Sequence, residues 1–285
     1  MYLDFHTHGK LTKKLPFSED YTHWLFSEAR SAGLDALCLT EHFNTLGFEA
    51  LYHYIAAHAQ PDGDTLLFDG LRIFPGMETD IAEGGHILSI GPLEAILELN
   101  RRLEPHKEKG TFLPFSQLMD LFEQYPVLVG GAHPFREGGN IPLLPDQQLR
   151  RLHFFDLNGK DVAENRQQAE ALTRALAARL HKPVVSGSDT HQAAQYGCIR
   201  TRFDQTVNRV EALAEEIRQG RYDIVVSPQA VFQVKTAALL KRALKEIHAL
   251  GGDYVSVLLG RSSVFSASCP AEKKSAPQET SSTAL

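Results

Sequence analysis

Short apolar runs recur along the chain, separated by longer stretches in which apolar positions return every three or four residues. The short runs predict strands over residues 2–6, 36–40, 71–74, 87–90, 127–131, 154–157, 183–186 and 224–226. The longer stretches predict helices over 21–32, 48–58, 116–125, 147–152, 163–180, 207–219 and 232–250. Gly33, Gly220 and Gly251 stop three of them, and Pro61 and Pro126 stop two more. Glycine accepts a left-handed cap, and proline disfavours helix before it. Strands alternating with helices predict an α/β protein with a parallel sheet covered by helices, and seven or eight such units suit a barrel better than an open sheet. Residues 1–260 are expected to form that domain. Residues 261–285, rich in Ser, Ala, Pro and Lys, are expected to be a disordered tail.

Composition narrows the class. With 285 residues, 43% of them apolar, there is ample material for a core. No run of 18 apolar residues predicts a membrane span, and MYLDFHTH lacks the basic and apolar regions of a secretory leader. Three widely spaced cysteines (Cys38, Cys198, Cys269) argue against a disulfide framework and for a reducing compartment. A cytoplasmic protein is expected. The net charge of -6 weakens any reading as a broad coat for nucleic acid.

The histidines carry the chemistry. In Asp4-Phe5-His6-Thr7-His8, alternate residues share one face of an extended strand, so His6 and His8 could grip one ion while a carboxylate orients them. Glu41-His42 follows the second strand, Glu78 the third, His133 the fifth, and Asp189 and His191 the seventh, while His86 opens the fourth. In parallel α/β folds the carboxyl ends of strands are where ligands gather. Six of 13 histidines fall in these groups; the other seven sit in or beside helices and read as structural or surface residues. Imidazole and carboxylate without thiolate suit catalytic zinc, manganese or iron, and a bridging carboxylate suits a two-ion hydrolase.

In order, the motifs DFHTH, TEH, GMETD with GGHILSIG, GAHP and GSDTH resemble those of the polymerase-and-histidinol-phosphatase (PHP) superfamily, metal-dependent phosphoesterases on a distorted (β/α)7 TIM-like barrel. The motifs span residues 4–191, and a C-terminal helical extension carries the likeness to about residue 250. The resemblance implies His6, His8, Glu78 and Asp189 around one ion, with Glu78 bridging to a second held by His86 and His133. A third would take His42 and His191, with Glu41 standing where members commonly have Asp. This chain departs from the pattern after the first motif, where Gly9-Lys10-Leu11-Thr12-Lys13-Lys14 replaces a further His or Asp. Two or three divalent ions are therefore expected.

The function this implies is phosphomonoester hydrolysis of a small phosphorylated metabolite, histidinol phosphate-like or nucleotide-like. A metal-bound hydroxide would attack phosphorus in line, and His191 or a bound water would protonate the leaving group, with Asp189 also in the catalytic set. Arg136, Lys13 and Asn158 are the candidate substrate contacts, since Arg and Lys beside a metal cluster bind phosphate oxygens. A PHP- or TatD-like nuclease is the alternative, less favoured for an acidic chain without a basic-aromatic groove. A non-catalytic metal-binding module is the second alternative.

Overall fold

The computed structural model describes residues 1–261. Its strands are β1 (Tyr2–Thr7), β2 (Ala36–Leu39), β3 (Gln60–Asp62), β4 (Thr65–Phe68), β5 (Leu71–Asp80), β6 (His86–Ile90), β7 (Leu128–Ala132), β8 (Phe154–Asn158), β9 (Val184–Gly187), β10 (Ile199–Phe203) and β11 (Tyr222–Val226). Its helices are α1 (Glu19–Ser31), α2 (Phe48–His58), α3 (Leu93–Arg102), α4 (Phe115–Phe122), α5 (Asp146–Leu149), α6 (Gly159–Leu180), α7 (Val210–Arg218), α8 (Ala230–Ala249) and α9 (Tyr254–Leu258). One compact unit covers residues 1–242 and a second begins at Ala243. In the second, Gly251 turns the chain after α8 with φ +81, and Asp253 caps α9 by accepting from Val255 N at 3.0 Å. The expected tail lies, beyond Arg261, outside the described residues. No helix among the described residues is long and apolar enough to cross a membrane.

Each expected strand is present, in one sheet of order β11-β10-β1-β2-β5-β6-β7-β8-β9, with the β3–β4 ribbon hung on β5. Past its last strand the sheet turns back on its first: Asp189 N donates to His6 O at 2.7 Å and His8 N to Thr190 O at 3.0 Å. Ser186 N reaches Thr201 Oγ1 at 3.1 Å. The result is a nearly closed, distorted TIM-like barrel. Parallel pairing holds for β1–β2–β5 and β7–β8–β9. The expectation of a wholly parallel sheet needs correction at β5–β6–β7 and β1–β10–β11, which are antiparallel. Only residues 81–85 join β5 to β6, too few for a crossover, so β6 must run back as a hairpin. The sequence reading also missed β3, β4, β10, α3 and α9.

Leu3, Phe5, Ala36, Cys38, Phe74, Leu88, Phe154 and Val185 form one buried cluster with Val210, Leu213 and Ile217 of α7. Met1 and Tyr222 pack against it, so hydrocarbon fills the end of the barrel where β1 starts. The polar side chains gather at the other end. Closure there is tight: a Cβ on Gly187 would lie 2.3 Å from His6 Cβ. Gly187→Ala is expected to destabilise the protein by about 2 kcal/mol, as overpacking does, and to displace His6. Urea unfolding checks this, and an unchanged midpoint would contradict it.

α6 is not one continuous helix. Asn165 has φ -152 and ψ 89, and its Oδ1 accepts from Gln168 N at 3.2 Å, restarting the helix as a cap does. The apolar periodicity of 163–180 gave no sign of this break.

Candidate metal centre

Strand ends bring the centre together. His6 lies in β1 and His8 just past it, beyond a register shift between Asp4 and Thr7 that re-aims the strand end. Glu78 sits near the end of β5, His86 opens β6, His133 follows β7, and Asp189 and His191 follow β9. His133 and Asp189 have φ +29 and +56, in the left-handed region that costs a residue with a Cβ about 1–2 kcal/mol. Such strain persists where the side chain is required at that spot.

Glu78 is the hub. Its Oε1 lies 2.7 Å from His86 Nδ1, 3.2 Å from His133 Nε2 and 3.4 Å from His6 Nε2. Its Oε2 lies 3.0 Å from His42 Nδ1 and 3.5 Å from His8 Nε2. Burial would raise the Glu78 carboxyl, but His86, His6 and His42 hold it well below the usual carboxylate range. Asp189 faces the same imidazoles, its Oδ1 3.3 Å from His8 Nε2 and 3.9 Å from His6 Nε2. Three donor sets lie close enough to hold ions: His6, His8 and Asp189; His6, Glu78 and His133; His8, His42 and His191. The chemistry fits divalent cations. His6 Nε2, both His8 nitrogens, His42 Nδ1 and Glu78 Oε2 are buried without a hydrogen-bond partner. Each such atom costs about 1–3 kcal/mol, which a cation at the convergence would offset.

Hydrogen bonds from the outer ring nitrogens assign the tautomers. His6 Nδ1 is 3.0 Å from Asp156 Oδ2, so Nδ1 would keep its proton when an ion displaces the one on Nε2. His191 Nδ1 is 2.9 Å from the Lys10 carbonyl oxygen, which can only accept. Burial, then the charges of His8, Lys241 and Lys160, hold the His191 imidazole well below its ordinary value. With Nδ1 on that carbonyl, His191 has Nε2 to turn toward the centre.

The candidate substrate contacts adjoin Asp189. Its Oδ2 accepts from Arg136 Nη1 at 2.6 Å and from Lys160 Nζ at 2.9 Å. Burial would raise the Asp189 carboxyl, but Lys160, Arg136 and His6 hold it well below the usual range. Arg136 also donates from Nη2 to Asn158 Oδ1 at 2.7 Å and from Nε to Asp161 at 3.0 Å. Asn158 Nδ2 then donates to Asp156 Oδ2 at 2.9 Å, so one network joins the basic face to His6. Lys13 comes only to the edge, 3.9 Å from Asp80 Oδ2.

Several residues take places the sequence did not indicate. Asp4, expected on the face of His6 and His8, accepts the backbone N–H groups of Ser188 and His6, at 2.8 and 3.1 Å; burial pushes it up to about 7. Asp156 orients the His6 ring instead. Glu41 stands outside all three donor sets, accepting from Gly9 N at 3.1 Å and His42 N at 3.0 Å while facing His8 Nδ1 at 3.7 Å. His86 is also outside the sets, spanning Glu78 and Asp80 Oδ1, the latter at 3.1 Å. Asp80 was legible in GMETD, two residues beyond Glu78 on the same strand face. Lys10 is buried with its ammonium on Thr45 Oγ1 and Leu46 O, so it serves neither phosphate nor surface.

Fold and cluster together define an α/β barrel with a histidine–carboxylate centre of the kind that holds divalent ions. Residues 168–222 match the family model PHP_C, described as PHP-associated. PsfC from Pseudomonas syringae PB-5123 superposes with a TM-score of 0.68 at 24% identity, over 85% of this chain and 98% of that one. The lesion-specific endonuclease PfuEndoQ from Pyrococcus furiosus gives 0.58 at 18% identity, over 78% of this chain and 57% of that one. An amidohydrolase from Chromobacterium violaceum gives 0.51 at 15% identity, over 78% and 97%. No curated protein matches the chain. At these identities the superpositions speak for the fold alone, and the PHP_C match over residues 168–222 agrees with the resemblance that the motifs carry.

Proposed function

We propose that this chain is a metal-dependent phosphoesterase that acts as a phosphomonoesterase on a small phosphorylated molecule. The observation that carries this reading is the division of labour at Asp189, with one oxygen toward His6 and His8 and the other holding Arg136 and Lys160. A basic face beside an ion-binding cluster suits a dianionic phosphoryl group. Bound ions would supply Lewis acidity and a water of lowered pKa. With a single free lone pair, His6 would serve either the set with His8 and Asp189 or the set with Glu78 and His133, and His8, His42 and His191 would hold a further ion.

The chain's own groups do the rest. Arg136 commits three of its five N–H groups to Asp161, Asp189 and Asn158, which leaves two for phosphoryl oxygens. Lys160 keeps two of its three beyond the Asp189 contact. His6 and His191 would present Nε2 to an ion because Asp156 and the Lys10 carbonyl occupy their Nδ1 protons. Arg136→Ala is expected to raise KM for p-nitrophenyl phosphate about tenfold, the worth of a lost charge-assisted contact, and to weaken metal retention because Asp189 loses its clamp. Arg136→Lys rescues little, since a point charge cannot reproduce the fork. An unchanged KM would remove Arg136 from the site.

One observation favours a nuclease reading, namely the barrel shared with a lesion-specific endonuclease. Protein loaded with zinc, manganese or iron, its metal content measured in parallel, is compared on p-nitrophenyl phosphate, its bis-ester and a short single strand. The monoester is expected to be preferred about 100-fold in kcat/KM, as groups built for a dianion dictate. Preference for the diester or the strand would give the site to nucleic acid. No hydrolysis at all would make it a non-catalytic module.

A further inference from the structure

A cleft of about 790 Å³ opens beside the metal centre, within the size range of small-molecule sites. Arg136, Asn158, Lys160 and Asp161 line the part that adjoins Asp189. Away from the cations the lining changes character. Phe135 and Leu172 line this part and remain 38% and 37% exposed. Glu137 and Glu164 also line it, and among the described residues neither has an ion pair or hydrogen bond. Asp161, by contrast, is taken up by Arg136. The break in α6 falls at this wall, where Glu164, Asn165 and Gln168 all face the cleft.

We propose that this cleft is the leaving-group pocket, and that Phe135, Leu172, Glu137 and Glu164 select phosphomonoesters whose organic part offers a ring-sized apolar surface and no negative charge. The inference rests on the phosphoesterase reading and names the substrate class for that site. Phosphate placed against Arg136 and Lys160 leaves its ester group in the cleft. An apolar ring there covers Phe135 and Leu172, a contact that favours binding by hydrophobic burial and ring packing. A second phosphate, a carboxylate or a polynucleotide backbone would instead meet two unpaired carboxylates and be rejected by like charge.

The test uses the metal-loaded enzyme and three aryl monoesters: phenyl phosphate, 4-carboxyphenyl phosphate and 4-(aminomethyl)phenyl phosphate. Each kcat/KM ratio is compared between wild type and variant, so that intrinsic leaving-group reactivity cancels. The double variant Glu137→Gln/Glu164→Gln is expected to raise the carboxyphenyl-to-aminomethylphenyl ratio about tenfold, the scale of a like-charge contact in a partly solvated cleft. Phe135→Ala is expected to raise KM for phenyl phosphate about fivefold more than it raises the inhibition constant of inorganic phosphate, which needs only the basic end. Ratios that stay within twofold of wild type in both variants overturn the pocket while leaving phosphoesterase activity in place. Failure of the wild type on all three esters sinks the phosphoesterase reading itself.

Discussion

Glu78→Gln is expected to lower monoester hydrolysis by about 10³-fold or more and to remove at least one ion per chain. The size follows from geometry. Glu78 is within 3.5 Å of nitrogens from five histidines that come from β1, β6 and the segments after β1, β2 and β7. No other side chain in the centre touches so many. Glutamine keeps the volume and one oxygen, so the packing around it survives while the charge that faces the histidines and would help hold a cation is lost. Steady-state kinetics with metal analysis on folded protein checks this. Activity within tenfold of wild type at full metal content would contradict the hub role.

Stripped of metal by a chelator, the protein is expected to lose stability as pH rises from about 6.5 toward 10. Burial lowers the His86 imidazole, but the Glu78 carboxylate, then Asp80, outweigh it and push it up to about 10. His6 is raised well above its ordinary value against the pull of burial by Glu78, Asp189 and Asp156, and His8 is raised by Asp189 and Glu41. A group with a raised folded pKa contributes stability that is fully present below its unfolded value, about 6.5 for histidine, and is lost as pH climbs through the folded value. Asp4, pushed up to about 7, has the same sign up to that pH. His42, His133 and His191 have the opposite sign. Burial foremost lowers all three, His133 to about 4, so their contribution is present above 6.5 and fades below it. Zinc or manganese should abolish the alkaline decline, because a cation takes the place of the protons on these ligands. Melting temperatures between pH 6.5 and 10 check both arms. A fall of about 5 °C is expected without metal. The same fall with metal present would show that the ions do not occupy these imidazoles.

The strand ends were legible because two regularities act together. Short apolar runs marked β1, β2, β5 and β8, and in parallel pairs the carboxyl ends must lie side by side, so residues as distant as His6 and Asp189 could be expected to meet. The basic face was legible in part, with Arg136 and Asn158 singled out by position alone. Hidden were the partners that tune these groups. Asp156 lies 150 residues from His6 and differs from any buried strand aspartate only by what it faces. The role of Lys10 was equally hidden, since a lysine after the HxH reads as surface charge or a phosphate contact until its ammonium is found on Thr45 and Leu46.

Residue type and spacing by themselves determined that six histidines, three acids and a run of strands would share one rim, because ligand chemistry and apolar runs are local properties of the chain. Strand direction at β6 and β10, the break in α6, the inward Nε2 atoms of His6 and His191, and the cleft beside Arg136 were decided only in three dimensions. Each depends on a partner brought in from far along the chain or on the room a connection leaves, and neither is written in the local order of residues.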